Sequence, residues 1–412
     1  MTAAHSLAAQ DLSVLRAAAL SRTPVSLGSR RTASPHEYYR YPARFSPELA
    51  AAVIAAFSEP GDIVADYFLG GGTTLVEARL AGRIGVGSDL NSLSTFVSRV
   101  KTRLYSGSEL AEVAAWADRA SSTGQEPMDW PADEQSISYF RNFSDPTLAE
   151  HRRVLFSALA ALHDVPSGQA KDFARCVLLR TAQWGLDMRS EIPTPDALRL
   201  AVRDNAASMI EAARTATRSY RKADQPQLTV GLPRSLVIQQ GLPGMAGHRA
   251  LTRHPEPRLI LTSPPYPGVY VNYHRWKLRG RLETPLPYFI AGQSDGHGLA
   301  YYTMAARSDR TQGTYFKQLE AAYSDVAKLC SADTWLVQVV GFNDVDDQLS
   351  RYLATMNRAG FNEVTLDQLA TSEDGRLWRD VPGRRWWARA GDRYEVVQHT
   401  AREVMLIHQL AR

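Results

Sequence analysis

Cysteine is scarce in this chain. Its 412 residues contain two, Cys176 and Cys330, too few for a disulfide framework or a thiolate metal site. No metal site is expected, and a reducing, cytoplasmic setting is. Lysine is scarce as well: six of the 47 basic residues are lysines (Lys101, Lys171, Lys222, Lys277, Lys317, Lys328) and 41 are arginines. No apolar run reaches the roughly 18 residues that a membrane helix needs, so no membrane span is expected. The alanine-rich start, Met1 to Leu20, lacks a basic stretch followed by an apolar block. It reads as a short surface helix, not a signal peptide. Internal repeats and long low-complexity tracts are also missing.

What is present is an ordinary soluble composition, 44% hydrophobic and 22% charged, with a length that suggests about two to three domains. The formal charge of +4 is too small to announce nucleic acid. The arginine bias has two readings. It supplies planar forks of donors suited to phosphates and base edges, and it also arises from GC-rich coding.

Residues 21–35, rich in Ser, Thr, Arg and Pro, read as an extended lead-in. A helix is expected from Pro47 to Phe57, with Ser46 as N-cap and proline at the first helical position, ending at Pro60-Gly61. Asp62 to Asp66 reads as a buried strand, Gly70-Gly71-Gly72 as a turn, Thr73 to Ala81 as a helix stopped by Gly82, and Ile84 to Asp89 as a second strand. This strand–turn–helix–strand order opens a parallel α/β sheet. From about 102 to 225 the pattern turns helical (Glu109–Ala120, Thr147–His163, Ala170–Trp184, Asp196–Tyr220). Strands resume at Ser235–Gln239, Arg258–Leu261 and Trp335–Val340, with helices at Tyr315–Leu329 and near 346–358. Phe361–Leu366 and Glu403–His408 are expected to close the sheet as an antiparallel pair. The resulting division is a lead-in (1–35), two parts of one α/β unit (36–102 and 231–412) and a helical insert (103–230).

Asp66-Tyr67-Phe68-Leu69-Gly70-Gly71-Gly72-Thr73-Thr74 lies where a strand hands over to a helix. Glycines there permit positive φ and close backbone approach, the helix start offers unpaired N–H groups, and in open α/β sheets this is the ligand crevice. Asp89, 17 residues after Gly72, ends the next strand, where a carboxylate accepts from ribose hydroxyls. No Gly-Lys-Ser/Thr follows, so a phosphate-gripping loop is not expected. A nucleoside cofactor without phosphates, S-adenosylmethionine, fits better.

Thr262-Ser263-Pro264-Pro265-Tyr266 is the sharpest feature of the chain. Two prolines directly after an apolar strand end the ladder and stiffen the backbone. The Ser263 hydroxyl and the Pro264 carbonyl then stand as acceptors in a rigid frame, with a flat Tyr266 ring beside them. That set suits a planar, amine-bearing base.

These two segments resemble the amino-methyltransferases of DNA, the S-adenosylmethionine enzymes that methylate exocyclic nitrogens of cytosine or adenine. Asp66 to Thr74 is similar to their cofactor motif D-P-F-x-G-x-G-T-T, with Tyr67 where proline is usual. Ser263 to Tyr266 is similar to their catalytic motif [DNS]-P-P-[YFW], and the Ser-Pro-Pro-Tyr form is most often associated with cytosine N4. Tyr41 to Pro47 resembles the segment before the family's first strand. The likeness spans roughly 36–102 and 235–410 and leaves out the helical insert. The motif order resembles the alpha-type arrangement.

The resemblance implies a Rossmann-like class I methyltransferase fold, mostly parallel with an antiparallel C-terminal strand. It also implies that Asp66, Gly70, Gly71, Gly72 and Thr73 hold the cofactor, that Phe45 and Phe68 pack on it, and that Asp89 binds its ribose. Ser263, Pro264, Pro265 and Tyr266 would bind the target base of double-stranded DNA, flipped out of the stack, for direct in-line transfer. A covalent route through a cysteine is not expected. At the end of the third strand, where the family often places an acidic or polar residue near the adenine, this chain has Gln239-Gln240-Gly241.

Tyr273, Arg275, Trp276, Lys277 and Arg279 interleave basic and aromatic residues and suit phosphate contact and base stacking; an amphipathic helix with an aromatic edge is the other reading. Gln293–Gly298 and Arg384–Arg389 are further candidate contact segments. Target reading falls to the insert or to 277–312. The alternatives carried forward are an adenine N6 enzyme, an RNA guanine N2 enzyme and a non-catalytic DNA-binding relative. A restriction–modification role is compatible with the resemblance, and nothing in the sequence sets the oligomeric state.

Overall fold

The structure, a computed structural model, describes residues 8–21, 34–41, 44, 46–122, 140–224, 233–252, 255–269, 274–296, 304, 312–390 and 393–411, with side chains outside the description over 381–401. Strands β1 (Ile63–Asp66), β2 (Ile84–Asp89), β3 (Ser235–Gln239), β4 (Leu259–Thr262) and β7 (Trp335–Gly341) run parallel in the order β3-β2-β1-β4-β7. Strand β10 (Arg393–Leu410) adds antiparallel to β7, and β8 (Phe361–Glu363) adds antiparallel to β10. This is the Rossmann-like, mostly parallel sheet with an antiparallel C-terminal strand that the motifs implied.

Burial on both faces explains the near-continuous apolar strands. Successive residues alternate between two cores, as a period of two requires. Val64, Leu259, Leu261, Val337 and Val339 face helices α1 (Ala9–Leu20) and α2 (Pro47–Phe57). Ala65, Ile260, Leu336 and Val340 face α10 (Gly313–Ala327) and α11 (Val345–Arg358). The first helix is therefore not a surface ornament: Leu12, Leu15 and Ala19 are buried against the sheet layer. Helix α2 starts as its residues dictate, with Ser46 Oγ accepting from Leu49 N at 3.2 Å and Pro47 at the first position.

Helices α5 (Gly107–Ser121), α6 (Ala149–Ala160), α7 (Gly168–Leu186) and α8 (Pro195–Ala223) follow α3 (Thr73–Leu80) and α4 (Ser92–Thr102). Ser106 and Glu109 form a reciprocal capping box at the start of α5. The helical stretch shares one core with α4, through Trp116, Phe173 and Leu198 on one side and Phe96 and Val97 on the other. Strands β5 (Trp276–Leu278) and β6 (Leu282–Thr284) form a hairpin on that same core, followed by α9 (Leu286–Ala291). Neither that hairpin nor β9 (Leu377–Ala390), which pairs along β10, was legible in the sequence pattern. Among the described residues no helix is long and apolar enough to cross a membrane.

Candidate active site

The glycine turn leaves β1 and enters α3. Gly70 and Gly72 both lie in the left-handed region, at φ 49° and 74°. A Cβ on Gly72 would come within 2.9 Å of Ser98 Cβ, and one on Gly71 within 2.8 Å of Tyr41 Cβ. The turn thus requires glycine twice over, by conformation and by space. Beneath it Nζ of Lys101, 1% exposed, donates to Gly71 O at 2.8 Å and Tyr39 O at 3.3 Å. Burial pulls its pKa down to about 7.

Asp66 is buried at the end of β1. Oδ1 accepts from Thr262 Oγ1 at 2.7 Å and from Phe68 N at 3.2 Å, and Oδ2 accepts from Thr74 Oγ1 at 2.7 Å. Burial raises its pKa to about 6 against these three donors, which pull the other way. Asp89 ends β2, and its carboxylate binds back to the turn. Gly70 N donates to Oδ2 at 2.8 Å, Ser94 Oγ to the same oxygen at 2.8 Å, and Asn91 N to Oδ1 at 2.8 Å. Burial raises this pKa too. The two carboxylates and the glycine turn therefore form one unit at the C-terminal ends of adjacent parallel strands.

Two buried polar atoms at this unit, Thr73 Oγ1 and Asn91 Nδ2, have no hydrogen-bond partner among the described residues. A buried polar atom of this kind needs a partner, which a bound ligand or water can supply. Phe68 packs partly buried beside Tyr323, with ring centroids 6.3 Å apart. Phe45 lies outside the described residues.

The Ser-Pro-Pro-Tyr loop leaves β4, the neighbour of β1. The Ser263 hydroxyl donates to Val339 O at 2.9 Å. Its oxygen also lies 3.4 Å from Tyr266 Oη, and a hydroxyl has one proton and two lone pairs, so a Ser263 that donates to Val339 keeps acceptor capacity. The Pro264 carbonyl accepts no hydrogen bond from the described residues. Tyr315 Oη donates to Pro265 O at 2.7 Å and holds the loop backbone. Tyr266, 8% exposed, donates through its phenol to Glu403 Oε1 at 2.6 Å. The structure thus brings Ser263, Pro264 and Tyr266 together at the rim of the strands that carry Asp66 and Asp89.

The segment after this loop is placed differently from its reading. Trp276 is 1% exposed, and its indole N–H donates to Tyr39 Oη at 3.1 Å. Arg275 pairs with the buried Asp295, with Nε at 2.9 Å. Arg279, at φ 50°, reaches Thr147 Oγ1 at 2.6 Å and Asp145 at 3.5 Å. The Lys277 backbone N–H donates to Asp187. These residues form a hairpin that docks on the helical stretch, not a helix. Trp276 serves the core, and Arg275 is engaged internally. Tyr273 lies outside the described residues, as do the side chains of Arg384, Arg385, Trp386, Trp387 and Arg389. Among the described residues no group of three or more His, Cys, Asp or Glu could hold a metal ion.

Sequence reasoning missed Glu403 and Arg379, whose pairing depends on strand register far from either motif. One signal was present: Glu403 directly precedes the apolar run Val404-Met405-Leu406-Ile407.

Comparison with known proteins fits this arrangement. Residues 24–94, which carry the glycine turn and Asp89, match a family model described as DNA methylase. The type II methyltransferase M.MjaII of Methanocaldococcus jannaschii is 30% identical over 83 residues, which is 20% of this chain and 16% of that protein. The type II methyltransferase M.BsoBI of Geobacillus stearothermophilus is 33% identical over 86 residues, 21% of this chain and 17% of that protein. The matches thus span about a sixth of the length of these curated relatives. Among solved structures, TrmN from Thermus thermophilus covers 93% of this chain and 55% of its own at 11% identity and a TM-score of 0.32. The rRNA methyltransferase aviRa from Streptomyces viridochromogenes covers 92% and 94% at 10% identity and a TM-score of 0.34. The family match covers the segment that carries the glycine turn, and together with the curated relatives it supports the resemblance drawn from the motifs.

Proposed function

We propose that the protein is a DNA methyltransferase that moves a methyl group from S-adenosylmethionine to an exocyclic amine, with cytosine N4 as the favoured target. The observation that carries the reading is the orientation of Ser263. Its hydroxyl bonds Val339 O at 2.9 Å and keeps lone pairs free, so its oxygen and the Pro264 carbonyl offer two acceptors held at fixed positions by prolines. The amine of cytosine or adenine is a weak nucleophile because its lone pair is delocalised into the ring. Two acceptors on its N–H bonds localise that pair on nitrogen, and a rigid frame supplies the positioning that such a reaction needs.

The residues at the glycine turn fit the cofactor. Asp66 offers a carboxylate for an amino group, Asp89 retains acceptor capacity for ribose hydroxyls, and Thr73 and Asn91 contribute buried polar atoms without partners among the described residues. S-adenosylmethionine supplies, when bound, an activated methyl group on sulfur. Phe68 and Gly70–Gly72 complete the cofactor-binding set, with Phe45 retained in it from the motif alone. Serine at the head of the loop favours cytosine N4 over adenine N6, as the resemblance implies. A base in duplex DNA must leave the stack to reach this loop. Residues 36–102 and 231–412 form the catalytic unit in this reading, and 103–230 with the 276–284 hairpin offer the surface that reads the target.

Ser263→Ala tests the proposal. Methyl transfer to DNA falls at least about a hundredfold, as for loss of a positioned polar group in a catalytic site, while cofactor affinity by calorimetry stays within about twofold. Unchanged turnover would remove Ser263 from the site.

A further inference from the structure

We propose that Glu403 positions the aromatic wall of the target-base pocket by anchoring Tyr266, with Arg379 holding Glu403 for that task. The proposal rests on Ser263–Tyr266 being the base-binding loop.

Among the described residues the carboxylate of Glu403 meets two partners. Oε1 accepts from the Tyr266 phenol at 2.6 Å, and Oε2 faces Nε and Nη2 of Arg379, each at 3.2 Å. Glu403 is 3% exposed, and an ionised carboxylate that deep needs charged or hydrogen-bonded partners on both oxygens. Strand register supplies them: Glu403 lies directly opposite Arg379 on β9 and opposite Gly341 on β7. The residue thus sits where the sheet passes into its C-terminal hairpin, beneath the catalytic loop and 137 residues from the tyrosine that it binds.

A ring that must stack on a base needs a fixed plane. The aryl torsion of tyrosine is broad, so packing alone leaves the phenol free to rock. A short hydrogen bond to a carboxylate, stronger than one between neutral groups, restricts that motion. The backbone of the loop is held separately, by Tyr315 on Pro265 O and by Ser263 on Val339 O. Loss of Glu403 therefore loosens the ring without unseating the loop.

The test uses the full chain and a double-mutant cycle of Glu403→Gln and Tyr266→Phe, scored by kcat and KM for DNA and by S-adenosylmethionine affinity. Glu403→Gln turns one carboxylate oxygen into a donor that faces a donor. It should lower kcat/KM for DNA about tenfold or more, the scale of a hydrogen bond to a charged group, with cofactor affinity within about twofold. Tyr266→Phe, which keeps the ring, should lose a similar factor, and the double variant should be no worse than the poorer single. Losses that multiply, or a wild-type rate for Glu403→Gln, overturn the proposal. Should Glu403→Gln fail to fold, seen as lost cofactor binding, Tyr266→Phe decides alone, and a wild-type rate there overturns it. Wild-type protein that binds cofactor yet methylates no DNA removes the base-loop reading and this proposal with it; wild-type activity shared equally by Glu403→Gln removes this proposal only.

Discussion

Thr262 Oγ1 and Asp66 Oδ1 are hydrogen-bonded at 2.7 Å across 196 residues of sequence. Thr262 is the last residue of β4 and Asp66 the last of β1, and these strands are parallel neighbours. The bond joins the strand that ends in the glycine turn to the strand that ends in Ser-Pro-Pro-Tyr. It ties the acid of one motif to the side chain that immediately precedes the other.

Thr262→Val keeps the shape and removes that donor. A buried carboxylate oxygen then loses a partner, which should cost about 1–3 kcal/mol of folding stability. Denaturant unfolding should show a lower midpoint with the same slope, and an unchanged midpoint would show that the bond contributes nothing.

In the proposed cofactor role, Asp66 would make binding pH-dependent. Its pKa is raised from 3.8 to about 6 by burial, so the folded protein holds a proton there that the unfolded chain has released. Its contribution to stability is full below about 3.8 and declines as pH rises through about 6. The bound cofactor needs the opposite form, since only the carboxylate pairs with an amino group. Affinity for S-adenosylmethionine should fall as pH drops below about 6, and Asp66→Asn should bind weakly with a flat profile. Calorimetry at pH 5, 6 and 7 checks both, and a flat wild-type profile contradicts the role.

Lys101 has the complementary profile. Burial lowers its pKa from 10.5 to about 7, so between these values the unfolded chain holds the proton and the folded chain does not. Stability from this group rises with pH across that window and is lost as pH falls to about 7. Lys101→Met should flatten the difference in unfolding free energy between pH 7 and pH 10. An identical slope in wild type and variant would show that the amine does not titrate in this range.

Gly72→Ala combines a strained φ of 74° with a contact to Ser98. Strain and overpacking each cost on the order of 1–3 kcal/mol, so thermal unfolding should shift down clearly and cofactor binding weaken. Adding Ser98→Gly should recover part of the loss by removing the contact but not the strain. Full recovery would mean that φ carries no penalty here.

Local chemistry made much of the fold legible in the sequence. Ser46-Pro47 announced α2 through a cap and a fixed φ, Gly82 stopped α3 at φ 75°, and apolar runs marked the buried strands. Asp66 and Asp89 were findable because each ends a strand beside the turn. The hairpin at 276–284 was hidden because Trp276 and Arg275 have the composition of a nucleic-acid surface, whereas the helical core takes up the one and Asp295 the other. Glu403 was hidden for a different reason: its meaning comes from facing Arg379 and Tyr266, and register between distant strands leaves no mark in local pattern. Lys101 carried no mark in the sequence beyond being one of six lysines, and only the fold places it beneath the turn.

The most direct measurement is to incubate the protein with methyl-labelled S-adenosylmethionine and either duplex DNA or RNA, digest the product and identify the labelled nucleoside. The account predicts label in DNA as N4-methylcytosine, lost in Ser263→Ala. Label in N6-methyladenine would correct the target base alone; label confined to RNA, or no transfer by a protein that binds the cofactor, would contradict the assignment.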